Sequence, residues 1–399
     1  MRIVLAIDSL KGSLSSLKAE NAAKEGILSV CPHADVLSVP IADGGEGTVD
    51  ALVSGMGGEY RHLTVSGPLG EPVEAVYGYL PETNTAIIEM AAAAGLALVP
   101  PDKRNPLIST TYGVGELIRH GVKSGVRHFL IGIGGSATHD CGVGMLQALG
   151  WRFTEKRERC TLSEAEYIDE RNVMPALAEC TFRIACDVTN PLCGENGAAA
   201  VYAPQKGADA AMVKQLDEAS RRFAEQCHSE KRCGNSLQGS LSLHKLPPLH
   251  NEGKTGLPDY ASHPGAGAAG GLGFAFLTFL HGELCSGIQL IMKETGLEEK
   301  IRSADLVITG EGRIDAQTVM GKAPFGVAAL CRKYGVPAVM IAGGCASVST
   351  IDGFPCFSIL RRPMTLEEAM VPTNARKNIT ETAAAITAAM FFRKTISER

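Results

Sequence analysis

Acidic residues set among glycines are the feature of this chain that most suggests chemistry. Asp43-Gly44-Gly45-Glu46-Gly47-Thr48 follows a strand-like run, Val36 to Val39, and leads into a helix-like run from Thr48 to Val53. Glycine lets a backbone approach a ligand and take positive φ. A helix start offers unbonded N–H groups to an anion. Asp43 is a hard oxygen donor of the kind Mg²⁺ takes. Thr309-Gly310-Glu311-Gly312-Arg313-Ile314-Asp315 ends a strand read over Asp305 to Thr309. Glu311 is a second metal candidate there, with Arg313 and Lys322 as cations for phosphate charge and Asp315 as a base candidate. Asp8-Ser9-Leu10-Lys11 ends the first strand in the same manner. Asp8 is read as a ligand-binding carboxylate, and Lys11 reaches a phosphate or a substrate carboxylate.

Two further junctions have related chemistry. Gly132 to Gly144 is a glycine-dense strand–loop–helix segment whose Gly134 and Gly135 amides and Ser136 and Thr138 hydroxyls suit an anion. No Lys-Ser/Thr pair closes it, so it is not a Walker A loop. Cys186-Asp187-Val188-Thr189-Asn190 ends another strand, with Asp187 as general-base candidate and Asn190 as a substrate or metal ligand. Gly265-Ala266-Gly267-Ala268-Ala269-Gly270 matches G-x-G-x-x-G but follows no strand, which argues against a dinucleotide fold. Gly267 then faces a phosphate or makes a close packing contact. Together these acids, cations and glycine loops imply phosphoryl transfer in a cleft between two domains, by positioning and charge stabilisation.

The elements that must carry these residues read as α/β. Strands are expected over Arg2 to Asp8 and Val36 to Val39, with a helix from Leu17 to Val30 between them. Near the C terminus, strands at Asp305–Thr309, Pro337–Ala342 and Cys356–Leu360 flank a helix over Ala323–Lys333. Thr365 with Glu368, and Asn378 with Glu381, read as capping boxes. Neither end has enough strands for a parallel sheet covered on both faces. Joined, they make a five-stranded flavodoxin-like sheet from 1–64 plus 291–399, with a second α/β domain, 65–290, inserted. Ser66 to Pro72 is read as the crossing linker.

Composition sets outer limits. The chain has 399 residues, 45% apolar and 20% charged, with a net charge of -5, which fits a two-domain enzyme. That charge argues against nucleic acid or an anionic membrane as main partner. The N terminus reads as a strand rather than a signal peptide, and no apolar run reaches transmembrane length, so a cytoplasmic location is expected. The 12 cysteines are scattered and read as reduced thiols. Cys227, Cys233, His244 and His250 fall in zinc-finger order with unusual spacing, and this stretch reads as a surface insertion instead. A homodimer is allowed, but nothing in the chain specifies the assembly.

In order, the segments ADGGEGT, EMAAAAGL, YGVGELIRH, IGIGGSATHD, CDVTNPLCG, PQKGA, PGAGAAGG and ITGEGRIDAQT…GK resemble the bacterial class I glycerate kinase family from Arg2 to about Ile386. The resemblance implies ATP-dependent phosphorylation of D-glycerate with Mg²⁺, on a flavodoxin-like domain interrupted by a second α/β domain. It falls on Asp8, Lys11, Asp43, Gly44, Gly45, Glu46, Ser136, Thr138, Asp140, Asp187, Asn190, Glu311, Arg313, Asp315 and Lys322, to which the roles above are attached by chemistry alone. The 2-hydroxyl is favoured as acceptor over the 3-hydroxyl. The alternatives are a degenerate kinase with a binding or regulatory role, or a kinase for another small hydroxy-acid. His139 and Cys141 depart from the family, which more often has Asn and Gly there. Cys141 is expected to stiffen the loop.

Overall fold

The computed structural model describes residues 1–155, 159–228, 232–233, 259–314, 323–345, 350–351 and 353–397. Asp315, Lys322, His244 and His250 lie outside the described residues. The strands, in chain order, are β1 (Arg2–Ile7), β2 (Asp35–Ser38), β3 (Glu59–Ser66), β4 (Pro72–Leu80), β5 (Thr85–Glu89), β6 (His128–Gly132) and β7 (Ile168–Asp169). They continue with β8 (Thr181–Ala185), β9 (Arg232–Cys233), β10 (Glu283–Cys285), β11 (Leu306–Ile314), β12 (Ala338–Cys345), β13 (Thr350–Ile351) and β14 (Phe354–Ser358).

The chain divides into two compact units, Met1–Gly58 with Ser286–Arg399, and Glu59–Cys285. In the first, six strands run in the order β13-β14-β12-β11-β1-β2, and all pairs are parallel except β13 with β14. Leaving aside that antiparallel edge, the order is that of a flavodoxin-like sheet, 2-1-3-4-5, drawn from both chain ends. Ile3 to Ile7 are wholly buried because helices cover both faces, so β1 is apolar without alternation. One face packs on the helices Ser16–Val30 and Pro372–Ser397. These two helices cross so closely that a Cβ on Gly26 would lie 2.0 Å from the Thr380 carbonyl oxygen.

The second unit has six strands in the order β10-β8-β6-β5-β4-β3, parallel from β10 to β5 and antiparallel from β5 to β3. Its core combines the sheet with Phe129, Phe182, Phe223, Phe274 and Phe276.

Three expectations are corrected. Ser66 to Pro72 is the turn of the β3–β4 hairpin, closed by the Gly67 N–H donating to the Glu71 carbonyl at 2.6 Å, and not a linker. The units therefore change over at 58/59 and 285/286. β11 does not stop at Thr309. It runs to Ile314, because Gly310 to Ile314 pair with Ile341 to Cys345. The Thr365–Glu368 capping box is formed, but Asn378 sits inside a helix that already starts at Pro372.

Candidate functional site

In the first unit the chemistry gathers at the carboxyl ends of β1, β2 and β11. β1 and β11 are the strands between which the sheet order reverses, and such a switch point is where open α/β sheets bind ligands. Asp8 directly follows β1, and its N–H donates to the Gly310 carbonyl at 2.8 Å. β11 runs on past this point, which carries Glu311 beyond the end of β1. Leu10 and Leu14 exchange backbone hydrogen bonds across a tight turn with Gly12 at φ 76°, and Lys11 sits at its tip. Ser16 joins the two neighbouring loops: its hydroxyl donates to the Ile7 carbonyl at 2.5 Å and accepts from the Ile41 N–H at 3.2 Å.

Asp43 is held at both oxygens. Oδ1 accepts from the Gly45 N–H at 3.2 Å, and Oδ2 accepts from Lys11 Nζ at 3.2 Å. Gly44 is buried, and a Cβ on neighbouring Gly287 would lie 2.7 Å from its Cα. Gly44 takes φ 84°, and Gly45 stays partly accessible.

Charge is concentrated here. Burial, then the Asp43 charge, push the Asp8 carboxyl up to about 7, and Glu311 adds to the rise; the Ser9 N–H and Lys11 oppose it. Burial pulls the Lys11 ammonium down, but Asp43, Asp8 and Glu46 together outweigh it and the net shift is upward. Mutually repelling carboxylates beside one lysine suit a divalent cation. No group of three or more His, Cys, Asp or Glu with metal-site geometry occurs among the described residues.

In the second unit the glycine-dense loop is built differently from the sequence expectation. Gly134 and Gly135 are exposed, but Ser136, Thr138, His139 and Asp140 are buried. Asp140 ties the loop to the next helix start: it accepts from the Thr111 N–H at 2.8 Å, the Thr111 hydroxyl at 2.9 Å, the Gly142 N–H at 3.1 Å and the Gly144 N–H at 3.2 Å. Burial raises its carboxyl despite these donors. The Thr138 hydroxyl is buried without a hydrogen-bond partner, and the loop packs closely against the segment at Gly270. Gly267 is also buried. Its N–H donates to the Asn190 carbonyl at 3.0 Å, so it cannot serve a phosphate. Asn190 itself holds its loop, donating to the Asn196 carbonyl at 2.9 Å and accepting from the Tyr202 hydroxyl. Asp187, one of the base candidates, is exposed just past β8.

The comparisons with known proteins decide the family. The model of the glycerate kinase family matches residues 3–391. The chain belongs to the glycerate kinase family. It is 44% identical over 378 residues to a glycerate kinase of Halalkalibacterium halodurans, covering 92% of this chain and 93% of that one. It is 43% identical over 381 residues to the glycerate 2-kinase of Escherichia coli K12, with 92% and 93% covered. A crystal structure from Salmonella typhimurium LT2, ascribed to glycerate kinase 2, superposes with a TM-score of 0.83 at 41% identity and covers 99% of each chain.

This family member carries polar groups that the motif reading did not single out. Lys206, inside PQKGA, is buried and donates to the Ser136 hydroxyl and the Thr138 carbonyl, both at 2.7 Å. Glu20, one helical turn after Ser16, is fully buried, and accepts from the Ile7 N–H at 3.2 Å; burial pushes its carboxyl well up. Glu20 could have been found as a glutamate on the apolar face of a helix, whereas nothing local in the sequence marks Lys206 as buried. Cys141 has φ 49°, the left-handed region in which glycine is at ease, so its side chain does constrain the loop. Eleven described cysteines are free thiols. No described helix is long and apolar enough to cross a membrane.

Proposed function

We propose that this enzyme, acting in the cytoplasm, transfers the γ-phosphoryl group of Mg²⁺-bound ATP to D-glycerate, giving ADP and 2-phosphoglycerate. The family supports the acceptor, and the name of the Escherichia coli relative favours the 2-position. The observation that carries the reading is the set of Asp8, Lys11, Asp43 and Glu311 at the strand ends of the switch point. Asp43 and Glu311 are the residues that would hold the ion, which supplies charge neutralisation at the phosphoryl oxygens. Lys11 and Arg313 add positive charge toward phosphate or carboxylate. A base must take the proton of the attacking hydroxyl. Asp187 and Asp315 are candidates from their motifs, and Asp8, buried at the end of β1 beside Lys11 and Asp43, is a third. Gly45, Gly134, Gly135 and Ser136 offer donors to anionic oxygens.

The test is incubation of the protein with ATP, Mg²⁺ and D-glycerate, with products identified by phosphorus NMR. A 2-phosphoglycerate resonance is expected. A 3-phosphoglycerate resonance corrects the regiochemistry, and absence of both with ATP bound overturns the reading.

A further inference from the structure

Lys206 is 2% exposed, yet it forms no ion pair with a carboxylate among the described residues. Its Nζ is committed to two oxygens of the glycine-dense loop, the Ser136 hydroxyl and the Thr138 carbonyl. A buried ammonium with no carboxylate in direct contact is unfavourable by itself. Burial accordingly pulls Lys206 down to about 7, against the pull of Asp140. The arrangement makes sense if an anion completes it.

The hydrogen-bond directions say where. Lys206 donates to Ser136 Oγ, so the Ser136 hydroxyl proton must go to another acceptor. None is found for it among the described residues, although Ser136 is only 9% exposed. The segment beside it is held by the Leu96 N–H donating to the Gly135 carbonyl and the Ala137 N–H donating to the Ala94 carbonyl, both in the 2.8–2.9 Å range. Ser136 stands between those two bonds, opposite Gly95 in an isolated bridge. Gly135 has φ 74°, and both it and Gly134 are exposed. The outcome is a rigid loop with a polarised hydroxyl donor next to two accessible glycines, above a buried cation.

We propose that Lys206 is a positioning residue of the reaction: it holds the Ser136 hydroxyl as donor to an anionic oxygen, carboxylate or phosphoryl, seated on Gly134–Gly135. This rests on the kinase reading. Lys206 does not touch the ligand. It sets the orientation of the serine proton and contributes positive charge through it.

The test uses the full-length enzyme and the variants S136A, K206M and the double variant, with KM for D-glycerate and KM for ATP measured separately from kcat. S136A is expected to raise one KM tenfold or more. A rise for D-glycerate identifies the bound oxygen as carboxylate, and a rise for ATP identifies it as phosphoryl. K206M should raise the same KM, and the double variant should be no worse than the weaker single one. If K206M does not fold, K206Q, which keeps an N–H donor in the buried site, takes its place and should raise the same KM. Both KM values of S136A within twofold of wild type would overturn the proposal. So would a K206M enzyme whose only defect is a lower Tm. If wild type shows no phosphoryl transfer, the kinase reading fails by itself. Calorimetric titration of wild type and S136A with D-glycerate and with ATP then decides the loop proposal: tenfold weaker binding of one ligand supports it, and unchanged binding overturns it.

Discussion

Lys11 Nζ donates to Asp43 Oδ2 across 3.2 Å, which joins the turn after β1 to the glycine loop after β2. The lysine side chain is 58% exposed, so the pair adds under about 1 kcal/mol to stability. Its value is placement of a cation beside two carboxylates. K11M should therefore unfold at nearly the wild-type temperature while losing roughly 10²–10³ in kcat/KM, the typical effect of removing one charge-stabilising donor. Steady-state kinetics beside a thermal melt checks this; a Tm loss with unchanged kcat/KM would contradict it.

Asp8 makes stability depend on pH. Its carboxyl rises from an ordinary 3.8 to about 7 on folding, so the folded state binds the proton more tightly. The linked stabilisation is complete below 3.8, is lost as pH rises toward 7, and changes little above that. The full span is roughly 4 kcal/mol as an upper bound. Urea titrations from pH 4 to 8 without divalent cation should show a decline in wild type that is smaller in D8N. Added Mg²⁺ should restore more stability at pH 8 than at pH 5.

Asp8 and Asp187 are rival bases, and pH–rate profiles separate them. If Asp8 takes the proton, D8N should lower kcat by about 10²-fold or more, and its residual activity should lose the acid limb of the wild-type profile. D187N should then keep kcat within a fewfold. The reverse pattern assigns the base to Asp187.

Gly267 and Gly194 make a paired test of packing. A Cβ on Gly267 would lie 2.2 Å from the Pro191 carbonyl oxygen, whereas one on Gly194 meets nothing within 4 Å. G267A should cost about 3 kcal/mol or more by forcing two backbone segments apart. G194A should cost only the strain of φ 96°, about 1 kcal/mol. Chemical denaturation of both variants gives the difference.

Glu20 is a buried acid whose carboxyl burial pushes well up. E20Q preserves its shape and its acceptor for the Ile7 N–H, and removes an ionisation that burial opposes. The variant should match wild type at pH 5 and exceed it in stability at pH 8. A variant less stable at pH 8 would show that the carboxylate, not the acid, is the folded form.

Local pattern was enough to show the fold class. β1 is a continuous apolar run because both its faces are covered, and too few strands at each chain end implied one sheet made from the two. The motifs also placed Asp8, Lys11 and Asp43 just past strand ends, because a strand followed by glycine and acid is a local signal, whereas Glu311 lies inside β11. What the tertiary structure decided was which groups meet and which face solvent. Asp8 acquires its shifted carboxyl from residues 35 and 303 positions away along the chain, Asp43 and Glu311, together with its own burial. Thr138 and Gly267 look like ligand contacts in the sequence but are consumed in packing one glycine segment against another. Lys206 is ordinary in sequence and becomes singular only when folding buries it under Ser136, 70 residues away. Burial and hydrogen-bond partnership depend on contacts distant in the chain, and no local spacing encodes them.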